Sequence, residues 1–344
     1  MTSSLKKGIS AFIFGVILII CLGISYRIMI PKYIVESTNW PSTSTFRQFY
    51  MLDKNTVDVV FMGSSSMASA AIPQSLYDEF GYTSYNMATV EQTLPTTYYW
   101  LKEILRSQKP KVVFLDNQML FTYYEDEALN YKEPGFRKDF DYMKWSPVKA
   151  QAIHEICSFD DRQSELSFYF PNIRYHDRWK ELKSYDFNYE VTSFYGYAPL
   201  AVGIEMEGDA ENLGEKADEV VPLMKDYMDR IVSLCKEEDI TLVLVSTLTP
   251  AESALRHEKT NQYALEQGID FIDFNQPDYY EKAMLNADTD CSDRRHMNLA
   301  GAKKITEFFG NYMSEKNLVS AVSSKQFEDT KIGFAEAMKE YEGN

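Results

Sequence analysis

The chain has 344 residues, with 35 basic against 51 acidic side chains and a formal charge of −16. That length holds one large domain or two ordinary ones, and 45% apolar with 14% aromatic residues excludes wholesale disorder. The first 32 residues carry Lys6, Lys7, Arg27 and Lys32 and no acidic side chain, so the negative field belongs to the rest and argues against a nucleic-acid partner. Cys21, Cys157, Cys235 and Cys291 form no C-x-x-C pair, which supports neither a disulfide scaffold nor a cysteine-rich zinc site.

From Ile9 to Tyr26 the chain runs without a charge. As a helix this segment spans about 27 Å, close to a hydrocarbon core of ~30 Å, and Lys7 and Arg27 can snorkel to cover the difference. A cleaved signal would end in a small-residue pattern, whereas this run ends in Tyr26-Arg27-Ile28-Met29-Ile30-Pro31. Ile20 before Cys21 also argues against lipidation. Residues 1–32 are therefore expected to be a cytoplasmic leader and a retained single-pass anchor, with the larger domain outside the cell membrane.

Residues 33–55 read as a linker. Beyond it, short β-rich runs alternate with helical stretches. The runs are Val57–Met62, Thr83–Met87, Lys111–Leu115, Thr241–Ser246 and Ile269–Asp273. The helices are expected over Pro73–Phe80, Leu94–Ser107, Val221–Glu238, Ala251–Gln267 and Leu299–Ser314. Such alternation predicts an α/β domain over 56–316, a five-stranded parallel sheet covered on both faces. An aromatic-rich stretch over 121–220 reads as an insertion on that sheet, and 317–344 as an amphipathic tail.

Ligands of open parallel sheets sit beyond the carboxyl ends of the strands. After the first run comes Gly63-Ser64-Ser65-Ser66, a strand-to-helix turn that can expose a hydroxyl beside the amides of the helix start. After the last run comes Asp293-Arg294-Arg295-His296, where a carboxylate three residues before a histidine can hold one ring nitrogen while the other faces a nucleophile. The first and last turns can meet at one sheet edge. Neither phosphate-loop pattern is present, no metal site is indicated by histidine spacing, and no cofactor is implied.

These residues resemble the SGNH (GDSL-like) hydrolases, and among them the membrane-anchored branch that contains the D-alanyl-lipoteichoic-acid biosynthesis protein D and the alginate-type O-acetylation proteins. Gly63-Ser64-Ser65 is similar to the first block of that family and Asp293-x-x-His296 to its last. The resemblance implies a flavodoxin-like three-layer fold with Ser65 as nucleophile, His296 as base and Asp293 as orienting acid. It implies oxyanion donors at Ser65, at Ala88 in place of the family glycine, and at Asn117 in a third block that departs from the family pattern. It also implies a cell-envelope glycan or teichoic acid acceptor and a membrane-bound O-acyltransferase partner.

The densest aromatic and basic cluster, with Arg174, His176, Arg178 and Trp179, could stack on a sugar or clamp an anion, or simply pack the insertion. The reading is thus a membrane-anchored serine esterase or O-acyltransferase. The alternatives are a carbohydrate deacetylase or a catalytically weak binding or assembly protein, the last motivated by the Ala88 and third-block departures.

Overall fold

The computed structural model describes residues 3–32, 42–121, 135–160, 162–189, 191, 194–201, 218–249 and 253–342. Five parallel strands are β1 (Val59–Met62), β2 (Ser84–Asn86), β3 (Val112–Asp116), β4 (Thr241–Ser246) and β5 (Asp270–Asp273), in the spatial order β2-β1-β3-β4-β5. This is the flavodoxin-like order, with its reversal beside β1. Pairing is in step across the sheet: Val60 faces Tyr85 and Val113, Phe114 faces Val243, and Val245 faces Ile272. β1 and β3 are buried throughout, which is why their apolar residues run on without alternation.

Two helical layers cover the sheet. In one, Leu299–Glu315 packs on Ser65–Ala70 and Pro73–Phe80; in the other, Leu94–Ile104 packs on Pro222–Glu237. Phe309 joins the first layer to the strands, its ring centroid 4.4 Å from Phe114, 5.5 Å from Phe61 and 5.7 Å from Phe274.

The expected linker is partly core. Ser42–Phe49 is a helix whose Phe46 stacks on Trp100 at 4.5 Å and whose Phe49 meets Tyr85 edge-on at 5.7 Å. Its serines and threonines resemble a spacer by composition, yet two phenylalanines at helical spacing give it one apolar face. Of that linker, 33–41 lies outside the described residues. The tail is likewise packed: Lys325–Met338 is a helix whose Phe327 stacks on Tyr195 at 4.1 Å and on Tyr77 at 4.8 Å.

The chain divides into two compact units, Met1–Lys32 with Ile153–Glu190, and Tyr33–Ala152 with Val191–Asn344. The sheet belongs to the second. The insertion is therefore not all one body, since its middle portion groups with the N-terminal helix. That helix runs Ser3–Met29, and its Leu5–Met29 stretch is long and apolar enough to cross a membrane, with a mean hydropathy of 2.5.

Phe309→Ala should cost about 3–5 kcal/mol in urea unfolding, because a cavity opens between the helix and three aromatic neighbours. A loss below about 1 kcal/mol would contradict this packing.

Candidate active site

The turn after β1 is held by a buried carboxylate. Gly63 has φ of +131°, and a Cβ there would lie 2.5 Å from Asp116 Oδ2, at the end of β3. No side chain fits. With that space open, the Ser64 amide donates to Asp116 Oδ2 at 2.6 Å and the Ser64 hydroxyl donates to the same oxygen at 2.7 Å. The Gln118 amide donates to Asp116 Oδ1 at 3.0 Å. Burial pushes the Asp116 carboxyl up from its ordinary value, and these hydrogen bonds offset only part of that. Ser64 is the extended N-cap of Ser65–Ala70 and accepts from the Ser66 amide. Ser64 and Ser66 are buried, whereas Ser65 is only half-buried.

The Ser65 hydroxyl lies 2.9 Å from His296 Nε2. On the other side of the ring, Nδ1 is 2.9 Å from Asp293 Oδ1 and 2.8 Å from Oδ2. The same carboxylate accepts from the amides of Arg295 at 2.7 Å and His296 at 2.9 Å, so it shapes the loop as well as orienting the ring. Burial alone would raise the Asp293 carboxyl. The imidazole hydrogen bond and charge, with the two amides, outweigh it and hold Asp293 below the usual carboxylate value.

Neighbouring bonds fix the loop. The Ser292 amide donates to the His296 carbonyl at 2.8 Å, and Asn298 caps Leu299–Glu315 by accepting from the amides of Ala300 and Gly301. Gly301 abuts the Asp290 carbonyl, where a Cβ would stand 2.2 Å away. The Ser66 hydroxyl donates to the Arg295 carbonyl at 3.2 Å, which ties the first turn directly to the last.

The expected oxyanion donors are placed less uniformly. The Ser65 amide, first in its helix, has no intrahelical acceptor. The Ala88 amide already donates to Asn86 Oδ1 at 3.1 Å. Asn86 in turn donates to the carbonyls of Met67 and Ala71, bracing the Ser65–Ala70 helix and its end against β2. Asn117 is committed elsewhere: its Nδ2 donates to Thr260 Oγ1 at 2.8 Å and its Oδ1 accepts from Ser246 at 2.9 Å. It fastens β3 to β4 and to the Ala254–Gln267 helix. The residue after the third run that supports the Ser64–Ser65 turn is Asp116, and a carboxylate ending a buried strand is the signal for it.

The aromatic and basic cluster also has other tasks. Arg178 donates to the Met29 carbonyl at 2.8 Å and to Asp186 at 2.8 Å, so it caps the N-terminal helix. His176 and Trp179 are exposed and Arg174 is half-buried, all within the first compact unit. Beside Asp293, burial first and then the charges of Asp290, Asp293 and Asp288 push the Cys291 thiol up to about 12, too high for a thiolate nucleophile at neutral pH. His257 also meets a carboxylate, with Nδ1 2.6 Å from Asp273 Oδ2, but among the described residues no serine bonds its other nitrogen. A cleft of about 500 Å³ lies at the amino-terminal end of β5, and none of Ser65, Asp293 or His296 lines it.

No family model and no curated protein matches the chain. Among solved structures, the following two overlap it. A candidate acylhydrolase from Bacteroides fragilis NCTC 9343 is 12% identical with a TM-score of 0.35, over 79% of this chain and 95% of its own. A gut microbial diltiazem-metabolizing enzyme is 15% identical with a TM-score of 0.26, over 76% of this chain and 48% of its own, about half its length. Overlap this loose carries no functional assignment.

Gly63→Ala should destabilise the sheet unit by about 1–3 kcal/mol and detach Ser64 from Asp116, since the new Cβ and the carboxylate cannot share the space. Chemical denaturation of the full chain reads the loss. Unchanged stability would mean that the turn tolerates a side chain.

Proposed function

We infer that the protein is a serine esterase or O-acyltransferase anchored by its N-terminal helix. The observation that carries this reading is the continuous hydrogen-bonded path from Ser65 through His296 to Asp293, assembled from two turns far apart in sequence that meet at one sheet edge. His296 Nε2 takes the Ser65 proton as Oγ attacks an acyl carbonyl. The Asp293 carboxylate keeps the other ring proton on Nδ1 and stabilises the imidazolium. Collapse of the tetrahedral adduct sends the Nε2 proton to the leaving oxygen or sulfur and leaves an acyl-serine. His296 then deprotonates the acceptor, water for hydrolysis or a sugar hydroxyl for transfer, and Ser65 regains its proton as the acyl group departs.

Resemblance to the membrane-anchored SGNH branch favours transfer to a cell-envelope glycan or teichoic acid. Among the described residues one helix is apolar and long enough to span a bilayer. An acyl donor would have to be brought across by a separate multi-spanning acyltransferase. In this reading the N-terminus is cytoplasmic and the sheet unit is outside.

A second reading has its own observation. The Ala88 amide and the Asn117 side chain are both engaged elsewhere, which leaves the Ser65 amide as the open oxyanion donor of the expected three. Loss of one such donor costs about 2.7–4 kcal/mol in comparable sites, so a weakly catalytic binding or assembly protein is the competing function.

Hydrolysis of p-nitrophenyl acetate by the full chain in detergent separates the two. Measurable turnover that Ser65→Ala abolishes supports the enzyme; no turnover, with envelope acylation unchanged in a Ser65→Ala strain, leaves the binding role. Asp293→Asn should slow turnover by about 10⁴-fold while the fold persists, because the ring loses its tautomer control. Near-normal rates would remove Asp293 from the scheme. Because the Asp293 value is lowered, its protonation lies on the acid side of the ordinary carboxylate range. Turnover between about pH 5 and 9 should therefore show no limb from this group. A carboxylate-dependent step inside that window, absent in Asp293→Asn, would contradict the assignment.

A further inference from the structure

The first compact unit holds a feature that acyl transfer does not use. Thirteen large hydrophobic side chains are exposed outside the N-terminal helix among the described residues, and six of them fall between 166 and 187. They are Leu166, Tyr169, Phe170, Ile173, Trp179 and Phe187, with Trp179 65% and Phe170 60% exposed. A soluble surface rarely concentrates so much apolar area in one short stretch.

Their position along the anchor explains them. A hydrocarbon core of ~30 Å takes about 20 residues, so a span that begins after Lys7 leaves the core near Arg27. The contacts between the helix and this stretch start there. Ser25 donates to Asn172 at 3.3 Å, Arg178 donates to the Met29 carbonyl, and Lys32 lies 3.9 Å from Asp186. Asn172–Tyr175, the 3-10 turn His176–Lys180 and Ser184–Phe187 all pack on the helix, and they carry Ile173, Trp179 and Phe187. The stretch 165–187 is also neutral in an acidic chain, with four acidic residues (Glu165, Asp177, Glu181, Asp186) against four basic ones (Arg174, Arg178, Lys180, Lys183). Anionic headgroups that repel most of the protein do not repel it.

We propose that residues 165–187 form a collar around the end of the anchor that lies in the membrane–water interface, with its exposed aromatic and aliphatic side chains among the lipid headgroups and upper acyl chains. Tryptophan and tyrosine favour this depth because a ring can be buried while its polar edge stays wet. The inference rests on the anchor reading. Arg178 and Lys32, which bond the last carbonyls of the helix, thereby fix the collar to the span.

The test uses the full chain in vesicles of phosphatidylcholine and phosphatidylglycerol, with and without lipids that carry a nitroxide high on the acyl chain. The difference between wild-type emission and that of Trp179→Phe isolates Trp179. The collar predicts a blue-shifted difference spectrum that loses most of its intensity with the shallow nitroxide. A difference spectrum left unquenched, while the protein still floats with the vesicles, overturns the collar and leaves the anchor intact. Failure to float overturns the anchor, and the collar with it. Because lipid is the sole partner present, quenching cannot come from a second membrane protein covering Trp179.

Discussion

One steric constraint underlies the candidate site: the chain leaving β1 must pass over the Asp116 carboxylate with no Cβ in the way. Gly63 meets it, and the Ser64 amide and hydroxyl then close onto Asp116. The turn so fixed makes Ser65 the first residue of a helix, half-buried between two buried serines. A carboxyl raised by burial and satisfied by the Ser64 hydroxyl and the amides of Ser64, Met67 and Gln118 is a rigid support, since any change of partner leaves a polar group without water. Asn86 repeats the logic on the opposite flank, bonding the carbonyls of Met67 and Ala71 in and just after the Ser65–Ala70 helix from the end of β2.

The parallel sheet supplies the rest. Because strand order reverses beside β1, the loop before Leu299–Glu315 can return to the carboxyl edge where β1 ends. The Ser66 bond to the Arg295 carbonyl shows how closely the two turns approach. Asp293 has two tasks at once, holding the imidazole and accepting from its own loop amides, and those donors keep it ionised. The N-terminal helix and the 153–190 stretch form a unit of their own, in which charged side chains cap the helix end and apolar ones stay exposed.

Strand and helix order were legible because buried parallel strands leave continuous apolar runs that no other element imitates at that length. The approach of Ser65, His296 and Asp293 to one another was legible because they stand at turns whose order the fold dictates. Asn117 was not, since an asparagine after a strand can face either a ligand or the next strand, and Thr260 with Ser246 supply the partners that decide it. The Ser42–Phe49 helix was hidden by its hydroxyl-rich composition, its burial resting on Trp100 and Tyr85 far along the chain. Arg178 was not legible as a helix cap, because an arginine among aromatic side chains can clamp an anion, stack or bond a backbone carbonyl. Its partner, the Met29 carbonyl at the end of the N-terminal helix, lies far away in sequence.

In the proposed mechanism His296 activates one serine among three neighbours. Treating the full chain with a fluorophosphonate and mapping the adduct by peptide mass spectrometry tests it most directly. Modification is expected on Ser65, with Ser64 and Ser66 untouched, and is expected to be lost in His296→Ala. An adduct on either neighbour, or labelling of Ser65 that survives His296→Ala, would contradict it.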